Sequence, residues 1–95
     1  MKILVVDDET DVRFLFEQRF RKEIRNHELD FDFAYSGEDA LKYLNLHARE
    51  AVLILSDINM PGMSGLELLK QIKLKYEKFF ENIFYPNPQK KLYIV

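Results

Sequence analysis

The chain has 95 residues, of which 47% are hydrophobic, with 14 basic and 16 acidic side chains and no cysteine. A chain of this length forms one domain, and its apolar content is sufficient for a packed core. The absence of cysteine excludes a disulfide framework, a thiolate metal site and a thiol nucleophile. No apolar run approaches the roughly 20 residues of a membrane-spanning helix, and no signal-peptide pattern precedes the first predicted strand. We therefore expect a cytoplasmic protein that does not enter the membrane.

Basic residues are concentrated toward the C-terminal end, where residues 70–95 contain six lysines against Glu77 and Glu81. A basic tail can indicate nucleic-acid binding. Here the lysines alternate with apolar residues at helical spacing, which is typical of the solvated face of a helix. We therefore expect no direct contact with nucleic acid.

The first part of the chain predicts a strand, a helix and a second strand. Residues 2–6 contain a continuous apolar run, as in a strand that is buried on both faces. Residues 11–25 predict a helix, which Thr10 or a neighbouring acid caps. Residues 29–33 alternate with a period of two, which indicates a strand nearer the edge of a sheet. The apolar face of the helix and the phenylalanines expected in the core comprise Val12, Phe14, Leu15, Phe16, Phe20 and Ile24.

The middle of the chain repeats this alternation. Ser36 and Asp39 are spaced as in a capping box, which predicts a helix over residues 37–48. A second continuous apolar run predicts a third strand at residues 51–56.

A second capping box, from Ser64 to Glu67, begins the next predicted helix. Residues 86–88 contain two prolines that end any helix, and residues 91–95 predict a fourth strand. The resulting βαβαβαβ order is typical of an α/β domain with a parallel sheet. The helix that begins at the second capping box is predicted to carry an apolar stripe. We expect either the sheet or a second chain to cover the aromatic part of this stripe. Its residues are Leu68, Leu69, Ile72, Tyr76, Phe79, Phe80, Ile83, Phe84 and Tyr85.

Acidic residues directly follow two of the predicted buried strands. Asp7 and Asp8 follow the first strand, and Asp57 follows the third. Because ligands bind beyond the carboxyl ends of parallel strands, where the strand order reverses, we expect these carboxylates to lie together. Carboxylates placed together repel one another unless a hard cation lies among them, and Mg²⁺ prefers oxygen ligands. The sequence therefore predicts a Mg²⁺ site, with a backbone carbonyl near Asn59 as a further ligand and Asp57 as a candidate phosphate acceptor.

Alternative roles exist for the individual polar residues. A single aspartate after a strand is often a turn former or a helix cap, and we assign a helix-start role to Glu9. The pair at residues 7–8 and a third aspartate after another strand together favour the metal site. His27 and His47 are isolated, and we expect them at the surface. Ser56 is expected to support the local backbone beside the candidate acceptor.

Two acidic segments carry a recognisable pattern. They are Ile3-Leu4-Val5-Val6-Asp7-Asp8-Glu9 and Asp57-Ile58-Asn59-Met60-Pro61-Gly62-Met63-Ser64-Gly65, the second of which meets the pattern D-x-x-M-P-x-x-x-G. Together they resemble the receiver domain of two-component response regulators. The resemblance covers about residues 2–76 and implies a flavodoxin-like sheet with strand order 2-1-3-4-5. Pro61 and Gly65 would shape the loop and the start of the following helix.

The resemblance implies a role for each matching residue. Asp57 would be the phosphoacceptor, and Asp8 and Asp57 would bind Mg²⁺ directly. Asp7 would act mostly through a bound water, and Asn59 would contribute its main-chain carbonyl. The phosphoryl group would come from a histidine kinase or a phosphotransfer protein. Such a module is not an enzyme, although it assists its own phosphoryl transfer and dephosphorylation.

The chain also departs from the family pattern. Receivers like this one carry a Ser or Thr after strand four and a Lys after strand five, and neither position falls within these 95 residues. Residues 77–90 match no receiver pattern and represent either an extended helix with a turn or an unrelated tail. We therefore predict one incomplete flavodoxin-like domain over residues 1–95, with about four strands and three helices. It would be family-like over residues 2–76 and atypical over 77–95.

Two functions of different classes fit these residues. The first is a phosphoaccepting receiver, with Mg²⁺-dependent phosphorylation of Asp57 by a histidine kinase. The alternative is a truncated or diverged receiver that acts as an interaction or dimerisation module without phosphorylation switching. A phosphohydrolase of similar topology is disfavoured, because such enzymes tend to place a second catalytic Asp where this chain has Asn59. The exposed edge of the fourth strand predicts a homodimer or a segment-exchanged dimer.

Overall fold

The computed structural model describes residues 1–47, 50, 52–83 and 90–94, with their side chains up to residue 75. Neighbouring strands are all parallel, in the order β2-β1-β3-β4. The predicted α/β class, with a flavodoxin-like parallel sheet and flanking helices, is confirmed, and the second strand lies at an edge. The elements are β1 Lys2–Val6, α1 Asp11–Arg19, α2 Arg21–Arg25, β2 Asp30–Ala34, α3 Gly37–Leu46, β3 Val52–Ser56, α4 Gly65–Ile83 and β4 Lys90–Ile94.

The central strands are buried because helices cover both faces of the sheet. Residues 3–6 of β1 are each at most 5% exposed. On one face, Leu44 of α3 and Leu68 of α4 pack in a cluster with Ile54 of β3. On the other face, Val12 of α1 packs against β1. Each fully buried leucine contributes roughly 1.5–3 kcal/mol to folding, so this core holds the carboxyl ends of β1 and β3 in a fixed relation.

The helix predicted over residues 11–25 is broken at Phe20 into α1 and α2, so the described residues contain four helices where about three were predicted. Phe20 has φ −110° and ψ 27°, although neither glycine nor proline stands there. Its ring centroid lies 5.4 Å from that of Phe31 on β2. Helical hydrogen bonds bracket the break, from Phe20 N–H to Phe16 O at 3.0 Å and from Ile24 N–H to Phe20 O at 2.9 Å. The break therefore coincides with the packing of the Phe20 ring against β2.

The predicted apolar face of the first helix is too wide. Phe14 and Leu15 are 64% and 62% exposed, whereas Val12 and Phe16, four residues apart, share the side that faces the sheet. Thr10 precedes α1 but makes no side-chain capping bond. Its backbone is already helical, with φ −67° and ψ −22°, and side-chain capping favours an extended residue.

The C-terminal part of the described chain continues the sheet. β4 pairs in parallel with β3, with Ser56 opposite Ile94. The predicted turn at residues 86–88 lies outside the described residues, as do the side chains of the predicted aromatic stripe from Tyr76 to Tyr85. In the described part of the chain, no helix combines the length and the apolar character needed to cross a membrane.

A polar network joins β1, β2 and α3 at the amino end of the sheet. The Lys2 ammonium lies 3.7 Å from Asp32 Oδ2 and 3.6 Å from Glu50 Oε2. The Tyr43 hydroxyl donates to Asp32, and the Tyr43 ring stacks on His47 with centroids 4.1 Å apart. His47 also hydrogen-bonds Glu50, and this bond lowers the pKa of the Glu50 carboxyl.

Tyr43 is expected to ionise well above the usual tyrosine range. Burial raises the pKa of its hydroxyl, and the hydrogen bond to Asp32 raises it further. The unfolded chain releases this proton near pH ~10. The stabilisation is therefore fully present below that pH and is lost as pH rises through the folded pKa. A spectroscopic titration of tyrosinate should show one step later than the others, and Tyr43→Phe should remove it. Simultaneous titration of every tyrosine would contradict this prediction.

Candidate metal centre

The carboxyl ends of β1 and β3 place two acidic residues side by side. Backbone hydrogen bonds extend the sheet one residue beyond each strand, from Asp7 N–H to Ala34 O at 3.0 Å and from Asp57 N–H to Val6 O at 2.9 Å. β1 lies between β2 and β3, so the strand order reverses at this point. In open α/β sheets this is the position at which ligands bind.

Three carboxylates meet at this edge of the sheet. Oxygen atoms of Asp7, Asp8 and Asp57 lie within 4.8 Å of one another. The side chains of Asp7 and Asp57 are half-buried, and that of Asp8 is exposed. Each ionised pair repels by roughly 1–4 kcal/mol, depending on how well water screens it. Opposite ligands of Mg²⁺ are about 4.2 Å apart, so the donor set suits a small oxygen-binding cation in its chemistry, and the upper limit on its span is of the same order.

Local hydrogen bonds orient two of the carboxylates. Asp7 Oδ1 accepts from Glu9 N–H at 3.0 Å, and Asp57 Oδ1 accepts from Asn59 N–H at 3.3 Å. Both bonds use Oδ1, and a carboxylate has a second oxygen for another partner. The structure thus brings together three of the four predicted ligand residues and places Asn59 next to them. The metal-binding role of these four residues and the acceptor role of Asp57 stay predictions.

The loop after Asp57 is closed by Gly65, the first residue of α4. The Gly65 N–H donates to Ile58 O at 2.8 Å. A Cβ added at Gly65 would lie 2.1 Å from Asp57 O, so only glycine fits at this position. Ser64 Oγ accepts from Glu67 N–H at 3.1 Å, and the predicted cap of the helix is confirmed. The start of α4 is therefore packed directly on the main chain of the candidate acceptor.

The same loop also packs on the start of α3, a contact that the sequence does not predict. A Cβ added at Gly37 would lie 2.7 Å from Met63 Sδ. Gly62, which directly precedes Met63, has φ 74°, a backbone conformation that favours glycine. Ser36 Oγ accepts from Asp39 N–H at 3.1 Å, as the first capping pattern predicts. No local sequence signal connects Met63 with a glycine so far away in the chain.

The sequence model of the response regulator receiver domain family matches residues 3–83. Among solved structures, TrrA from Thermotoga maritima, in complex with Mg²⁺ and BeF, is 33% identical; the match covers 96% of this chain and 64% of that chain, with a TM-score of 0.66. The Vibrio cholerae chemotaxis protein CheY4 is 29% identical, with 83% and 61% covered and a TM-score of 0.63.

The receiver domain of Saccharomyces cerevisiae Ssk1, solved with the phosphotransfer protein Ypd1, has a TM-score of 0.71. The match covers 99% of this chain and 60% of that chain at 22% identity, and it shows the fold alone. This chain thus spans about 60–64% of the length of these three solved chains. The family match covers most of the chain, and the parallel α/β fold agrees with it. The chain belongs to the response regulator receiver domain family, a family of phosphoacceptor signalling modules.

Proposed function

We propose that the chain accepts a phosphoryl group on Asp57, in a reaction that requires Mg²⁺, from the phosphohistidine of a histidine kinase or a phosphotransfer protein. The observation that supports this proposal is the meeting of three carboxylates within 4.8 Å at the carboxyl edge of the sheet. The family match supports the same class of signalling. TrrA, which is 33% identical, was solved with Mg²⁺ and BeF. The alternative of an assembly module without phosphorylation gains no support from these observations.

Four residues would hold the metal. We propose Asp8 and Asp57 as direct ligands, Asp7 as a ligand through bound water, and Asn59 as the source of a main-chain carbonyl. All four contribute oxygen, and Mg²⁺ is commonly bound by one or two carboxylates together with waters and phosphate oxygens. The bound ion would neutralise charge on the transferring phosphoryl group.

The acceptor carboxylate carries out the bond exchange. An Asp57 oxygen forms a bond to phosphorus while the nitrogen–phosphorus bond of the donor phosphohistidine breaks, and the imidazole keeps the electron pair and takes up a proton. The Asn59 N–H holds Oδ1 at 3.3 Å, and the bond to Val6 O ties Asp57 to β1. The carboxylate is therefore oriented before a donor arrives. Positioning and charge stabilisation suffice for such a transfer, which suits a signalling module and not a classical enzyme.

Mass spectrometry after incubation with a small-molecule phosphodonor tests this proposal. The wild-type chain should gain one phosphoryl group on Asp57 with Mg²⁺ and none after chelation. Asp57→Asn should gain none. Glu9→Gln is a matched control, because it removes a neighbouring charge that is not part of the carboxylate cluster, and it should keep the uptake. A folded wild-type sample with Mg²⁺ but without an adduct on Asp57 would overturn the proposal.

We also propose that the chain is a single cytoplasmic domain over residues 1–95, whose family-like part extends past residue 76 to residue 83, where the family match ends.

We further propose that this domain forms a homodimer or a segment-exchanged dimer and does not bind nucleic acid. Phe14 and Leu15 expose apolar surface on α1, and such surface favours association. Sedimentation at increasing concentration should show a dimer, and Leu15→Glu should shift it toward monomer. A wild-type monomer at high concentration would contradict the association. Cell fractionation tests the location.

A further inference from the structure

Ser56, the last residue of β3, carries a polar side chain into the core. It is 1% exposed, and it is the one polar or charged residue among the buried side chains that the structure describes. The preceding inward positions of the same strand hold Val52 and Ile54, which are 2% and 0% exposed. An apolar side chain at residue 56 would continue this pattern and would leave no hydroxyl to satisfy. Core packing alone therefore does not explain a serine here.

The hydroxyl of Ser56 acts on the main chain of the candidate acceptor. Ser56 Oγ donates to Asp57 O at 3.0 Å. The Asp57 N–H is held by Val6 O at 2.9 Å, so the backbone polar groups of Asp57 are fixed on both sides of its Cα. The same carbonyl oxygen faces Gly65, where an added Cβ would lie 2.1 Å away. A buried hydroxyl and a close glycine thus restrain one peptide group.

We propose that the Ser56 hydroxyl is a positioning group for phosphoryl acceptance, which orients the Asp57 carboxylate toward Asp7 and Asp8. This inference rests on the proposed function of Asp57. Rotation of this peptide group about the Cα–C bond of Asp57 would move the Asn59 N–H, which holds Asp57 Oδ1 at 3.3 Å, and would thereby change the orientation of the carboxylate relative to Asp7 and Asp8. Mg²⁺ demands near-ideal octahedral geometry, and phosphoryl transfer depends on an aligned acceptor. Loss of the hydroxyl should therefore weaken metal binding and slow uptake while the core remains packed.

The variants Ser56→Thr and Ser56→Val form a matched pair. Threonine and valine have nearly the same shape, so any crowding is common to both and only the hydroxyl differs. We expect Ser56→Val to bind Mg²⁺ about tenfold more weakly than Ser56→Thr and to take up phosphoryl groups from a small phosphodonor correspondingly more slowly. Without Mg²⁺, Ser56→Val should be the less stable of the two, because it leaves Asp57 O without the hydroxyl donor, and both variants should remain folded under the conditions of the titration. A purely structural hydroxyl would change stability alone and would leave the Mg²⁺ affinity of the folded protein equal in the two variants.

Calorimetric titration with Mg²⁺, unfolding curves and the rate of phosphoryl uptake distinguish the outcomes. Equal Mg²⁺ affinity and equal uptake in the two variants would overturn the inference and leave the proposed function intact. A wild-type chain that binds no Mg²⁺ and takes up no phosphoryl group would overturn both. If the larger side chains prevent folding, Ser56→Ala should lose Mg²⁺ affinity, whereas Ser36→Ala, which removes the cap of α3, should lose only stability. Equal Mg²⁺ affinity in these two alanine variants would overturn the inference.

Discussion

Replacing Gly65 with alanine is expected to abolish Mg²⁺-dependent phosphoryl uptake at Asp57 and to destabilise the fold by about 3 kcal/mol. The added Cβ would lie 2.1 Å from Asp57 O and 2.9 Å from Ile58 Cα. Both are main-chain atoms, so no side-chain rotation relieves the clash, and either α4 or the loop after β3 must shift. The gain in helix propensity, about 1 kcal/mol at most, does not offset this cost. Denaturant unfolding and mass spectrometry of the treated variant measure the two effects.

Gly37→Ala is the matched control for this prediction. Gly37 also begins a helix, and its added Cβ would lie 2.7 Å from Met63 Sδ. The obstacle there is the Met63 side chain, with Cγ at 2.8 Å and Cβ at 2.9 Å; rotation can move Sδ and Cγ, but Cβ moves only with the backbone. We therefore expect a loss of stability of about 1–3 kcal/mol, but uptake within a few-fold of the wild type, because no main-chain atom of Asp57 is among the three nearest atoms. Equal losses of uptake in the two variants would show that the contact of Gly65 with the acceptor main chain is not decisive.

The sequence predicts the acidic edge because parallel topology converts a local signal into proximity. Asp7 and Asp57 each stand one residue beyond a buried strand, and the strands that precede them pair directly. To predict that these two side chains lie close together, it is enough to know the position of each residue relative to its own strand. The helix starts at Ser36 and Ser64 are predictable for a similar reason, since a capping hydroxyl and the N–H that it accepts are three residues apart.

Features that depend on contacts between distant elements are not predictable in this way. Helical periodicity indicates which side chains share a direction, but not how wide a strip of the helix the sheet covers. For example, periodicity does not indicate that Phe14 is exposed whereas Phe16 is packed against the sheet. The helix break occurs at Phe20, whose ring packs on β2, and no glycine or proline marks it in the sequence. The hydrogen bond from Tyr43 to Asp32 joins α3 to β2, and neither residue carries a local signal for it.

The substitution Asp8→Asn is expected to stabilise the fold without Mg²⁺ and to make it less stable than the wild type when Mg²⁺ is present. Without Mg²⁺, the variant removes one of three negative charges that lie within 4.8 Å. Because Asp8 is exposed and well screened, we expect a gain of only a few tenths to about 1 kcal/mol. With Mg²⁺ at about a hundredfold excess over its dissociation constant, the wild type gains about 2.7 kcal/mol. The variant gains far less, because it lacks a proposed direct ligand and should bind Mg²⁺ on the order of 100-fold more weakly.

Unfolding curves of the two proteins, with Mg²⁺ and with a chelator, should therefore cross. The variant would be the more stable protein in chelator and the less stable one in Mg²⁺. Glu9→Gln removes the same charge from the next residue, which lies outside the cluster, and it should keep the full gain from Mg²⁺. This control separates the loss of a ligand from a general change in surface charge, because the charge change is equal in both variants. An equal gain from Mg²⁺ in wild type and Asp8→Asn would mean that the ion does not bind at Asp8, and the proposed ligand set would then be wrong.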